Sequence, residues 1–143
     1  MDPTVIDIVL IIHFAGLMLG AGGGLGSTIV MAQARAMPPE QAGPLRSVGP
    51  ALSRMAALGL VLMLLSGPAL VSMKYDGFAN MPMLFWVKLV FVGTLTLAAI
   101  LIEVTYARVK KGDMKAAGLL PKLGPMAGIS SLLAVVFAAL AFH

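Results

Sequence analysis

The sequence predicts an all-α integral membrane protein, an up-down bundle of four transmembrane helices with both termini non-cytoplasmic. Three observations predict it. Hydrophobic residues fill 59% of the 143 positions and charged residues only 11%, against about a quarter charged in a soluble domain. Four stretches, about residues 4–34, 48–73, 82–107 and 120–142, each supply the roughly 20 apolar residues that cross a bilayer. The basic residues are also one-sided. Arg35, Arg46, Arg108, Lys110, Lys111, Lys115 and Lys122 lie in or beside the loops after spans 1 and 3, and Lys74 stands alone on the other side. That asymmetry puts the two basic loops in the cytoplasm and the N-terminus, loop 74–81 and C-terminus outside it. The expected location is a bacterial inner membrane, with residues 1–143 forming one transmembrane domain.

Each element has its own local signals. Span 1 begins beside Asp2 and Asp7 with no basic flank, so it reads as a retained span and not a cleaved signal peptide. Span 2 contains "SGP", and the missing N–H of Pro68 predicts a kink. Span 3 opens near Trp86, which with Tyr75 suits a membrane interface. Before span 4, "LGPMAG" predicts a delayed or bent start. The connections "MPPEQAGP", "KYDGFANMP" and "KKGDMKAAG" are short and full of breakers, so sequential spans should be antiparallel neighbours.

Several functions are excluded at this level. Without cysteine there is no disulfide, thiolate catalysis or Cys-ligated metal. The net charge of +4 reports topology and not nucleic-acid binding, because its residues cluster in the loops. "GAGGGLG" lies mid-span, with no strand before it and no Lys-Ser/Thr after it, so it is not a phosphate loop.

That glycine tract is the first candidate site. On a helix His13, Gly16, Gly20, Gly23 and Ser27 form one continuous stripe. Gly16, Gly20 and Gly24 also form two overlapping small-xxx-small motifs. Glycine in a helix costs about 1 kcal/mol relative to alanine, so a compensating contact is required. Close helix packing supplies one account. A trough for a flat cofactor, with His13 at its head as axial ligand, supplies another.

The second candidate set is ionisable. Such groups inside a membrane are costly and usually functional. By the helical rise, His13 lies about 13 Å and Lys88 about 9 Å from the same face, while Arg54 and Glu103 lie about 8–12 Å from the opposite one. Arg54 and Glu103 are expected to form a structural ion pair between spans 2 and 3. Lys88 either snorkels toward the interface or meets an anion such as a porphyrin propionate. His13 has three readings: an interhelical hydrogen bond to a carbonyl or serine, haem ligation, or a proton relay. The other histidine, His143, is the last residue, so a second axial ligand would be Met73, Met81, Met83 or a second subunit's copy of the first-span histidine.

"IIHFAGLMLGAGGG", "RMAALGLVLMLLSGPAL" and "FWVKLVFVGTLTLAAIL" together resemble a group of small four-helix bacterial membrane proteins. That group is related to the membrane protoporphyrinogen oxidases and the copper-resistance D family. The resemblance covers most of the chain and implies b-type haem at His13, with Ala15-Gly16-Leu17 and Trp86-Val87-Lys88-Leu89 at matching positions. The chain departs from the oxidases in having glycines in place of a Leu-Pro-Arg-Leu turn. It also has "AAILIEV" where they carry a late span-3 histidine, and "KLGPMAG" for an Asn-Glu-x-Pro start. The expected function is therefore a redox or tetrapyrrole-related membrane protein holding haem through His13, Gly16, Gly20, Gly23 and Lys88. The alternative is a non-catalytic accessory subunit that docks on a larger membrane complex through the glycine-rich first helix, and the chain is expected to be a homo-oligomer or a subunit of such a complex.

Overall fold

The computed structural model describes residues 2–142, and four long helices account for most of them: α1 (Pro3–Ala36), α2 (Gly43–Lys74), α3 (Met83–Lys110) and α4 (Leu120–Ala141). All four are long and apolar enough to cross a membrane. Asp2 caps α1 by accepting from the Thr4 N–H at 3.0 Å, with Pro3 in the first turn. α2 starts five residues earlier than the hydropathy suggests (Gly43, not Val48), because Pro44 suits a first turn and Ser47 donates back to its carbonyl at 2.7 Å. The helix then runs through both Pro50 and Pro68. A 3-10 turn at Ala116–Leu119 supplies the irregular approach expected before α4, which continues through Pro125. At the end of α3, Gly112 takes φ +98, a backbone conformation that favours glycine, and its N–H closes the helix on Val109.

The four helices alternate in direction, but they do not pack as equal neighbours. α1 lies against α2 along most of its length, and α3 lies against α4. The two hairpins then meet along a much thinner seam, and α2 touches α3 only locally despite their sequential order. The cause is side-chain size. α1 and α2 present glycine and alanine to each other, so their backbones meet. A Cβ placed on Gly16 would lie 2.8 Å from the Gly59 carbonyl oxygen, and one on Gly23 would lie 2.6 Å from that of Leu52. In the other hairpin, stacked rings fill the contact: Phe91 and Phe137 lie 5.4 Å apart, nearly parallel. Tyr75 of the α2–α3 connection stacks on Phe142 at 5.0 Å, and Phe78, Phe85 and Trp86 extend this cluster at the termini end of the bundle.

Burial follows the same division. Interior positions are small, such as Ala34, Ala98, Ser66 and Ser130, and among the described residues no large side chain is fully buried. Ile11, Met18, Leu65 and Val90 point outward, each more than 60% exposed. An apolar exterior around a small-residue interior is the pattern of helices that associate in lipid, where close packing replaces the hydrophobic drive.

Adding a methyl group therefore has opposite consequences at neighbouring glycines. Gly59→Ala and Gly23→Ala should each lower stability by about 1–3 kcal/mol, read as thermal unfolding in detergent. Gly22 is exposed with open space around it, so Gly22→Ala should leave stability unchanged or slightly raised.

Candidate functional site

The stripe His13–Gly16–Gly20–Gly23–Ser27 faces α2 throughout. Gly16 opposes Gly59, Leu62 and Met63. Gly23 opposes Leu52 and Ala56, and Gly20 makes ordinary contact distances with Ala56 and Leu60. Ser27 donates to the Gly49 carbonyl at 3.1 Å. The space considered for a cofactor is filled by the backbone of α2, so a macrocycle has no room along Gly16 and Gly23. The same burial keeps this stripe from serving as a docking face for another subunit.

His13 is held by α2 as well. Its Nδ1 lies 2.8 Å from the Ser66 hydroxyl, and that hydroxyl lies 2.6 Å from the Leu62 carbonyl. A serine has one proton, and in a helix it donates to the carbonyl four residues back. Ser66 Oγ therefore accepts from His13, which fixes the Nδ1–H tautomer and leaves Nε2 with its lone pair. Cε1 packs beside Gly67, where an added Cβ would lie at an ordinary contact distance of 3.7 Å. An oriented imidazole with a free Nε2 is the usual state of a ligating histidine, yet the surroundings do not suit haem. The stripe is occupied, the large cavity described below is not lined by His13, and Met83 is 81% exposed. Met81 lines a separate hollow beside Tyr75 and Phe142. His143 lies outside the described residues. Among the described residues no cluster of three or more His, Asp or Glu side chains is arranged to hold a metal ion. The residues of a single chain do not fit a haem on His13.

Lys88 is half-buried, with its ammonium 5.8 Å from the ring centroids of both Phe85 and Phe142. It sits in the aromatic cluster as a cation–π partner. The expected ion pair is not the contact that forms. Glu103 accepts a hydrogen bond from the Ser53 hydroxyl at 2.9 Å, whereas Arg54, the next residue along, is exposed. One helical step turns a side chain by about 100°, so Ser53 faces α3 and Arg54 faces outward.

The feature that sequence reasoning missed lies in the seam. A cavity of about 730 Å³ opens between the hairpins and is lined by all four helices. Its walls are apolar, from Leu17 and Met63 at one end through Leu60, Leu95 and Leu132. The polar groups gather toward the basic-loop end: Glu103, Ser53, Tyr106, Ser27, Thr28 and Arg35. Gly24 and Gly128 line it with nothing within 4 Å of an added Cβ. Glu103 and Gly20 are the sequence-predicted site residues that reach this cavity, and His13, Lys88 and Arg54 do not. The available signal was a pair of glycines, Gly24 in "GGGLGS" and Gly128 in "LGPMAG", that no close helix contact uses.

Two outcomes follow. Nitrogen NMR of ¹⁵N-histidine-labelled protein should show His13 protonated at Nδ1 and bare at Nε2, and Ser66→Ala should abolish that preference while lowering stability by about 1–3 kcal/mol. Arg54→Gln should change stability by less than about 0.5 kcal/mol, because no interior partner is lost. The chain matches no family model, no curated protein and no solved structure.

Proposed function

We propose that the protein is a multi-pass membrane protein that binds an apolar-bodied molecule from the bilayer between its two hairpins. A bacterial inner membrane, with the basic loops on the cytoplasmic side, is the setting supported by the charge asymmetry.

The observation that carries this reading is the seam cavity. About 730 Å³ lies within the range of small-molecule sites, roughly 300–1,000 Å³. The lining includes exposed apolar side chains such as Leu25, Ile129 and Leu132, so the cavity opens at the surface of the bundle and an apolar molecule can enter it from the side. The long apolar walls with polar groups gathered at one end suit a molecule with a chain-like or ring-like body and one polar head.

Filling the space from the protein side tests the reading. Gly24 and Gly128 each have room for a larger side chain, so Gly24→Leu combined with Gly128→Leu should fold and occupy the cavity. After reconstitution in phosphatidylethanolamine–phosphatidylglycerol vesicles and release into mild detergent, native mass spectrometry should find lipid retained by wild type. The double variant should retain several-fold less. Equal retention by both proteins overturns the proposal.

A further inference from the structure

We infer that the seam cavity selects lipophilic cations, with the Glu103 carboxylate as counter-charge and Ser53 as the residue that positions it; this rests on the cavity being a binding site. The inference comes from counting which polar atoms on the walls still have a free hydrogen or a free lone pair.

Glu103 lines the cavity and uses one carboxylate oxygen to accept from Ser53, which is itself buried. Its hydrogen-bond partner is thus a neutral group, and the neighbouring Arg54 faces outward. The second carboxylate oxygen remains able to accept. Ser27 and Thr28 also line the cavity, but each already donates its single hydroxyl proton to a backbone carbonyl, Ser27 to Gly49 and Thr28 to Gly24. Both therefore present lone pairs to an occupant. The remaining polar contributors are Tyr106 and Ser131, which can act either way, and Arg35, the only basic residue on the lining. Arg35 stands in the exposed last turn of α1, about 15 Å of helical rise from the level of Ser53 and Glu103.

The walls around Glu103 are therefore rich in acceptors and carry one unmatched negative charge. A carboxylate in apolar surroundings is stabilised by a positive partner close to it. An anionic head would meet like charge there, and a neutral body would leave the carboxylate without a counter-charge. A positively charged occupant with an apolar body satisfies both the head and the walls.

Tetraphenylphosphonium and tetraphenylborate test this directly, because they match in shape and differ in the sign of charge. Equilibrium binding to the purified full chain in mild detergent should show tetraphenylphosphonium bound more tightly than tetraphenylborate. Glu103→Gln should weaken the phosphonium by about tenfold or more, while Glu103→Asp should retain most of the affinity. Equal affinity for the two ions, no binding of the phosphonium, or an unchanged Glu103→Gln variant would each overturn the inference. The Gly24→Leu, Gly128→Leu double variant separates this failure from that of the cavity reading. If it weakens both ions equally while Glu103→Gln changes neither, the cavity binds but does not select charge. If it changes neither ion, the probes bind elsewhere and the inference falls, and lipid retention alone then decides whether the cavity is a site.

Discussion

The architecture depends on one contact: the backbone of α1 against the backbone of α2 at Gly16, Gly20, Gly23 and Gly59. In lipid an apolar surface gains nothing by hiding from its surroundings, so helices associate where their shapes match most closely. Glycine permits that approach, and the fit is close enough that a single Cβ at Gly59 would run into the backbone of Gly16 and Gly20. The hydrogen bonds of His13 to Ser66 and of Ser27 to Gly49 hold the two ends of the same interface. Polar groups and glycines thus act together to set the relative height of α1 and α2.

Once those two helices are closely joined, the rest of the bundle adapts around them. α3 and α4 form their own hairpin through aromatic stacking, which keeps backbones further apart than glycine does. Two hairpins of different girth do not meet evenly, and the mismatch is left along the seam. The aromatic cluster of Tyr75, Phe85, Trp86 and Phe142 closes one end of the bundle. Toward the other end, small residues on α1 and α4, Gly24, Gly124 and Gly128 among them, leave the space unfilled. Cavity and close contact are consequences of the same distribution of side-chain volume.

Much of this was legible in the residues themselves. Four long apolar runs sufficed to locate the helices, because runs of about 20 apolar residues satisfy their backbone in lipid as helices, whereas barrel strands are about half that length and alternate in polarity. The stripe from His13 to Ser27 marked a face of α1 that needed a close partner, and a serine was among the partners considered for the histidine. What could not be read was rotation about the helix axes. Arg54 and Glu103 looked matched in depth and charge, but Ser53 is the residue turned toward α3. The seam was hidden for a related reason: its lining takes a few residues from each of four helices, and no single segment carries their pattern. Hydropathy likewise starts span 2 too late, because Gly43–Ser47 are helical without being apolar.

Glycine-to-glycine contact is also what can be measured with least disturbance. Magic-angle-spinning NMR of the protein in lipid bilayers, with carbon label in glycine alone, reports which glycines approach across helices. The account predicts cross-peaks joining Gly59 to Gly16 and Gly20. Absence of the Gly59 cross-peaks would contradict it.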